Sequence, residues 1–246
     1  MRYKEPMSET FQERLEAVNC RIEDACRRAG RDLASVKLLA ISKSQGPEKV
    51  REAAACGVVV LGENKVQEAR VKIPLCPGSL SWHMVGHLQR NKAGAAVELF
   101  DAIHSVDSLR LLETIDHACD EAGKILPVFI EVNVSGEGSK FGAAPESVPE
   151  MLAASNRLMH VNVVGLMTMP PFTEDPEKAR PHFRRLRELR DRWRVETGIA
   201  LDELSMGMSH DFEIAIEEGA TWIRVGTALF GERGETWRPA SSTLEN

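Results

Sequence analysis

Short apolar runs alternate along the chain with longer amphipathic stretches, and the beat is regular. The first amphipathic stretch predicts a helix over about Phe11 to Ala29, with Phe11, Leu15, Val18, Ile22 and Cys26 on one face. Thr10 and Glu13 have capping-box spacing, and Gly30 stands where a helix-ending glycine belongs. Apolar runs predict strands at Val36 to Ser42, Val58 to Leu61, Trp82 to Val85 and Asp101 to Val106. Four more follow at Pro127 to Val134, Val161 to Met167, Glu203 to Met206 and Ala220 to Val225. The fifth run is almost continuously apolar, as in a strand buried on both faces. Between strands lie a helix opened by Pro47, one through Lys65 to Val71, and one capped by Asp107-Ser108 that runs to Ala122. Further helices are expected over Ser147 to Leu158, over Glu177 to Thr197, and from about Asp211.

Eight strands in alternation with helices predict an α/β chain folded as a closed (β/α)8 barrel. An open doubly wound sheet is the rival architecture, but no GxGxxG follows the first strand. No linker or low-complexity segment divides the sequence. Residues 1–246 therefore read as a single domain with a loose tail after about Arg233. Closure would set the eighth strand beside the first.

Bulk composition narrows the function. The chain has 246 residues and is 43% hydrophobic, enough for a core that needs no staples. A net charge of -6 supplies no broad basic footprint for nucleic acid. The densest basic run, Arg180 to Arg194, is interleaved with acids and reads as a solvated helix face. Five scattered cysteines with no CxxC pair point to a reducing, cytoplasmic setting. The charged N-terminus has no apolar h-region, and no run suits a bilayer span.

Candidate chemistry concentrates between Ser205 and Gly231. Two apolar runs there each lead through Gly and Ser/Thr into a predicted helix start. Exposed N–H groups at such starts bind anions, and two on consecutive units can converge on one phosphate. Barrel closure brings Lys43, at the end of the first strand, to the same place. A lysine there is either an ordinary surface residue or an amine able to form a Schiff base with an aldehyde. Arg224 lies mid-strand, with its side chain opposite to those of Ile223 and Val225. Facing inward it needs a partner and can donate to a ring nitrogen; facing outward it meets a helix. Asn64 is either a helix N-cap or a ligand contact. Thr168 is a possible polar contact at the end of the sixth strand. His83 and His87 are four apart but sit at a strand end without a third ligand, so no metal site is expected. Glu63 is the one carboxylate offered by the mouth motifs, and it reads equally as a first-turn helix acid. That weakens a rival reading as a Schiff-base aldolase, which needs an acid/base group beside its lysine.

Taken in order, AISKS around Lys43, LGENKVQEA from Leu61, WHMVGHLQRNK from Trp82 and IHSVDS from Ile103 resemble the pyridoxal phosphate homeostasis protein family. The series continues with EVNVSGEGSKFG from Glu131, GLMTMPP from Gly165, LSMGMSHDFEIAI from Leu204 and RVGTALFGER from Arg224. Members are single-domain relatives of the N-terminal barrel of alanine racemase. The resemblance implies that Lys43 forms the internal aldimine with pyridoxal 5′-phosphate. It implies that Ser205, Ser209, Gly226 and Thr227 hold the phosphate, that Arg224 faces the pyridine nitrogen, and that Asn64 lies near the ring. It also implies a carrier that delivers the cofactor, for example to apo-enzymes that use it, without an established turnover of its own; an amino-acid racemase-like enzyme is the alternative. A cytoplasmic monomer is expected. An arginine at the ring nitrogen disfavours its protonation and damps carbanion chemistry. Racemases also need a second base, which in alanine racemase is a tyrosine from the partner's second domain; the one tyrosine here is Tyr3. His87 and Cys76 are the other loose candidates for a second base. Family members often carry a further lysine where this chain has Gln45, and Lys140 is another candidate contact at the mouth.

Overall fold

The computed structural model describes residues 9–137, 141–231 and 237. Its strands are all parallel and close into a barrel in chain order. They are β1 (Lys37–Ile41), β2 (Val60–Glu63), β3 (Ser81–Met84), β4 (Ala102–Val106), β5 (Leu126–Glu131), β6 (Val161–Met167), β7 (Glu203–Met208) and β8 (Trp222–Val225). The barrel shuts where β1 pairs with β8, with Leu39 opposite Arg224 and Ala40 opposite Val225. The predicted (β/α)8 architecture is therefore the observed one.

The helices are α1 (Phe11–Ala29), α2 (Pro47–Ala55), α3 (Val66–Lys72), α4 (Ala93–Leu99), α5 (Leu109–Ala122), α6 (Val148–Ser155), α7 (Arg180–Thr197), α8 (Phe212–Glu217) and α9 (Thr227–Phe230). Helix α1 begins with the expected capping box of Thr10 and Glu13 and ends at Gly30, which is left-handed with φ 63°. Most of the apolar core lies between strands and helices, where Ala40, Leu61, Ile223 and Val225 meet Phe11, Val50, Phe212 and their neighbours. Inside the barrel, Leu39, Ile41 and Val85 form a smaller cluster packed by Val60 and Trp222. Period two in the strands divides these two cores.

Several boundaries differ from the sequence reading. β2 starts two residues later than expected and takes in Gly62 and Glu63. Helix α4 was not expected from the sequence. Its seven residues, AGAAVEL, are too few for a periodic signal, and packing of Ala93, Ala96 and Val97 fixes it instead. The long helix starts at Arg180, because Pro176–Ala179 forms a separate 3-10 turn. The basic run on α7 is more than a solvated face. Arg180, Arg184 and Arg187 all reach Glu218 at the end of α8. No described helix is long and apolar enough to cross a membrane. Residues 232–236 and 238–246, which include most of the expected tail, lie outside the described residues, as do Tyr3 and Lys140.

Candidate functional site

The C-terminal mouth of the barrel holds a cavity of about 380 Å³. Ile41, Val85, Met169, Phe172 and Met208 form its apolar walls, and Lys43, Asn64, Ser209, His210, Arg224, Gly226 and Thr227 its polar lining. Six of the seven residues singled out from the sequence are thus brought together from β1, β2, β7 and β8.

Ser205 is the exception, and the expectation that it holds a phosphate is corrected. It is fully buried at the level of Trp222, the first residue of β8, well below the mouth. Its hydroxyl is engaged there by Arg224, whose Nη1 donates to Ser205 Oγ at 2.9 Å, and by His104 Nδ1 at 2.8 Å. Ser205 therefore supports Arg224 from below.

Arg224 points inward and is buried. Its Nη2 donates to the Thr168 carbonyl at 2.9 Å, so the backbone of Thr168, more than its hydroxyl, meets the site residues. The Thr168 hydroxyl donates to the Val132 carbonyl. Burial pulls the guanidinium down to about 10, while the charges of Asp211 and Glu131 pull the other way. It stays a cation at neutral pH. Guanidinium carries five N–H donors, which leaves others to address a ligand. Below it, His83 Nδ1 lies 3.0 Å from His104 Nε2, and His104 stacks on Phe129 at 4.0 Å. Burial holds both imidazoles neutral, His83 at about 4 and His104 well below its ordinary value. A chain of polar groups thus runs from the barrel interior to the floor of the cavity.

The phosphate-like cup is built differently. Ser209 Oγ accepts from the N–H of Gly226 at 3.1 Å and of Ala228 at 3.3 Å, so the β7 and β8 loops converge as expected. Asp211, the residue before α8, accepts the Met208 N–H on its Oδ1 at 2.6 Å and so ties the end of β7 to the start of that helix. Gly207 makes the turn possible. Its φ is 89°, and a Cβ there would lie 2.5 Å from Ala215 Cβ and 2.9 Å from Phe212 Cα. Asn64 is no helix cap: Lys65 takes that position before α3, and Gly86 packs so closely that a Cβ would stand 2.3 Å from the Asn64 carbonyl oxygen.

Other candidates separate from the cavity. Glu63 is neither a mouth acid nor a helix acid. It ends β2 and is buried against Lys72, 2.8 Å away. Cys76 lies in the loop between α3 and β3 and is not among the residues that line the cavity. His87 pairs with Asp107 at 3.2 Å and stacks on Phe141, outside the lining. His83 and His87 therefore point to different places, and among the described residues no three His, Cys, Asp or Glu cluster as metal ligands.

Three polar residues near the site escaped the sequence reading. His104 interrupts the apolar run of β4, and that break was the available signal. Glu131 closes the apolar run of β5; it is buried and pushed up to about 7, by burial first and then by the charge of Asp107, with Arg224 opposing. His210 lines the cavity, and its Nε2 meets the Glu174 carbonyl at 3.0 Å. Because a carbonyl only accepts, Nε2 carries the proton and Nδ1 is left as the basic nitrogen.

Comparison with known proteins places this geometry. The sequence profile of the alanine racemase N-terminal domain matches residues 14–234. The pyridoxal phosphate homeostasis protein of Aquifex aeolicus is 49% identical over 90% of this chain and 97% of its own length. The human pyridoxal phosphate homeostasis protein is 37% identical over 92% of this chain and 87% of its own length. PipY of Synechococcus elongatus, solved with pyridoxal phosphate bound, superposes with a TM-score of 0.79 at 37% identity, over 90% of this chain and 100% of its own. With a barrel, a mouth and a profile that all agree, the chain belongs to the pyridoxal phosphate homeostasis protein family, within the alanine racemase N-terminal domain group.

Proposed function

We propose that this protein binds pyridoxal 5′-phosphate, holds it on Lys43, and serves intracellular supply of that cofactor as a cytoplasmic carrier. One observation carries the reading: a single cavity joins Lys43 to the Ser209, Gly226 and Thr227 cup, with Arg224 on its floor. Its size falls in the range of about 300–1,000 Å³ common for small-molecule sites. The donor set suits the ligand. An amine answers an aldehyde, hydroxyls and backbone N–H groups answer a phosphate, and a buried cation answers a ring nitrogen.

Bound pyridoxal phosphate would supply a reactive aldehyde and an aromatic electron sink. Lys43 would hold that group through its side-chain amine, and an incoming amine or water competing for the aldehyde would free the ligand for a recipient protein. Arg224 would hold its positive charge toward a bound ring and oppose a second positive charge there, which would limit the sink. The apolar walls of Ile41, Val85 and Met208 would exclude water from such a ring.

The test is borohydride reduction of the protein loaded with pyridoxal phosphate, then peptide mass spectrometry. A reduced adduct on Lys43 is expected. An unmodified Lys43 would end this reading.

A racemase-like enzyme is the second reading, favoured by His210, whose Nδ1 could act as a base at the cavity wall. Loaded protein with single L-amino acids in deuterated water should exchange the α-proton no faster than free cofactor if the protein is a carrier. Exchange that His210→Asn abolishes would favour the enzyme instead.

A further inference from the structure

Lys43 sits in a turn whose neighbours are all tied down from the side away from the cavity. Lys72, the last residue of α3, is completely buried. Its ammonium donates to the Ser42 carbonyl at 2.9 Å, to Glu63 Oε1 at 2.8 Å and to Glu68 Oε1 at 2.7 Å. Ser42 Oγ donates to the same Glu63 oxygen at 2.6 Å. Glu68 Oε1 takes a second donor, the Ser44 N–H, at 2.6 Å. Gln45 N–H donates to the Ser42 carbonyl at 3.0 Å, and Trp237 N–H to the Ser44 carbonyl at 3.1 Å. The Trp237 ring stands over the same ammonium, 5.4 Å away.

Two features argue against a purely stabilising role for this cluster. A buried ion group seldom stabilises more than apolar residues of the same shape would, because desolvation cancels the attraction. Burial is also the main force that raises the Glu63 carboxyl above its ordinary value, and Glu63 Oε2 has no hydrogen-bond partner among the described residues. The backbone it secures is itself strained. Ser44 has φ 64°, a left-handed conformation that a serine adopts at a cost. Without the Glu68 acceptor, Ser44 would relax toward negative φ, and the preceding residue would turn with it.

We infer that Glu68 and Lys72 are positioning residues for Lys43: they hold the Ser42–Gln45 turn in its left-handed form and so aim the Lys43 amine into the cavity. This rests on the reading of Lys43 as the covalent anchor. The cluster should therefore matter for bonding to the aldehyde and not for grip on the phosphate.

A pair of ligands separates the two. Pyridoxal phosphate carries the aldehyde, and pyridoxine 5′-phosphate carries an alcohol in its place and cannot bond to an amine. Lys72→Met strands Glu63 without its countercharge and is liable to unfold the chain. Glu68→Ala is the decisive variant, because it leaves the Lys72–Glu63 pair intact. Glu68→Ala is expected to weaken pyridoxal phosphate binding by roughly 10- to 100-fold, the scale on which misplacement of a reacting group acts. Pyridoxine phosphate affinity should change by less than about twofold, and the fraction of cofactor trapped on Lys43 by borohydride should fall. Adding Ser44→Gly should restore much of the trapping, since glycine takes positive φ without strain. Parallel loss of both ligands, or trapping on Lys43 as complete as in the parent, would overturn the inference. If the parent protein itself shows no adduct on Lys43, the proposed function fails first, and the two failures are thereby distinct.

Discussion

The two ends of the cavity solve opposite problems with opposite materials. At the lysine end, a buried ammonium, two carboxylates and a strained serine fix one short turn. At the cup end, glycine, hydroxyl and backbone N–H groups come together, with the one buried carboxylate, Asp211, tied to the Met208 N–H. Helix α1 braces that end from the periphery. Arg14 Nε donates to the Leu229 carbonyl at 2.5 Å, and Arg21 pairs with Glu213 at 2.6 Å while lying over the Phe212 ring. Phe11 packs on Phe230 with centroids 5.2 Å apart. Under the proposed function, the difference follows from what each end would have to do. A covalent nucleophile needs one direction fixed to a fraction of an ångström, whereas an anion needs several small donors on a close backbone.

Substitutions can break this contrast in turn. The largest effect is expected at Gly207, beneath the cup. Gly207→Ala combines a left-handed φ with a Cβ inside contact distance of Phe212 and Ala215, and should cost about 4 kcal/mol. Denaturant melts would measure it; a loss below about 1 kcal/mol would mean that the cup relaxes as freely as a surface loop.

Next comes the floor between the two ends. Glu131 is held at about 7 in the fold against an ordinary 4.5. A raised carboxyl stabilises the fold fully below the lower value, and that contribution is lost as pH rises through the higher one. Glu131→Gln should therefore leave stability unchanged near pH 4 and raise it by about 3 kcal/mol at pH 8, at about 1.4 kcal/mol for each pH unit between the two values. Thermal melts of the ligand-free pair across that range would check the sign. Equal melts at pH 8 would mean that Glu131 is ionised without penalty beside Arg224.

The smallest effect is expected at Ser209. Ser209→Ala should weaken pyridoxal phosphate and pyridoxine phosphate alike by about tenfold, the scale of one hydrogen bond to an anion. A selective loss of the aldehyde ligand would place Ser209 with the lysine end and dissolve the contrast.

Much of this was legible in the sequence, for reasons particular to each residue. Lys43, Arg224 and Gly226 could be joined because period two and barrel closure are rules of geometry that need no contacts. Ser205 misled because period two says inward but not how deep, and at its depth the partner is Arg224. Lys72 was hidden in a helix where lysine ordinarily faces water, and only the fold reveals that its three acceptors lie on the turn before it and on Glu63 and Glu68. Glu63 was visible but misplaced for the same reason: its partner comes from the following helix. His210 was passed over as part of a helix start, although it lies one residue beyond Ser209.

The seam between β1 and β8 has a consequence for the life of the chain. The lysine belongs to the first strand and the cup to the last, so the site does not exist until the final strand has docked. A growing chain lacking β8 would have a nucleophile and no cup, and could not retain the reactive aldehyde specifically. Once closed, any ligand that touches both sides spans the seam as a rivet does, and adds its binding energy to the barrel's resistance to reopening. On the proposed function, loading would thereby report that the barrel has closed.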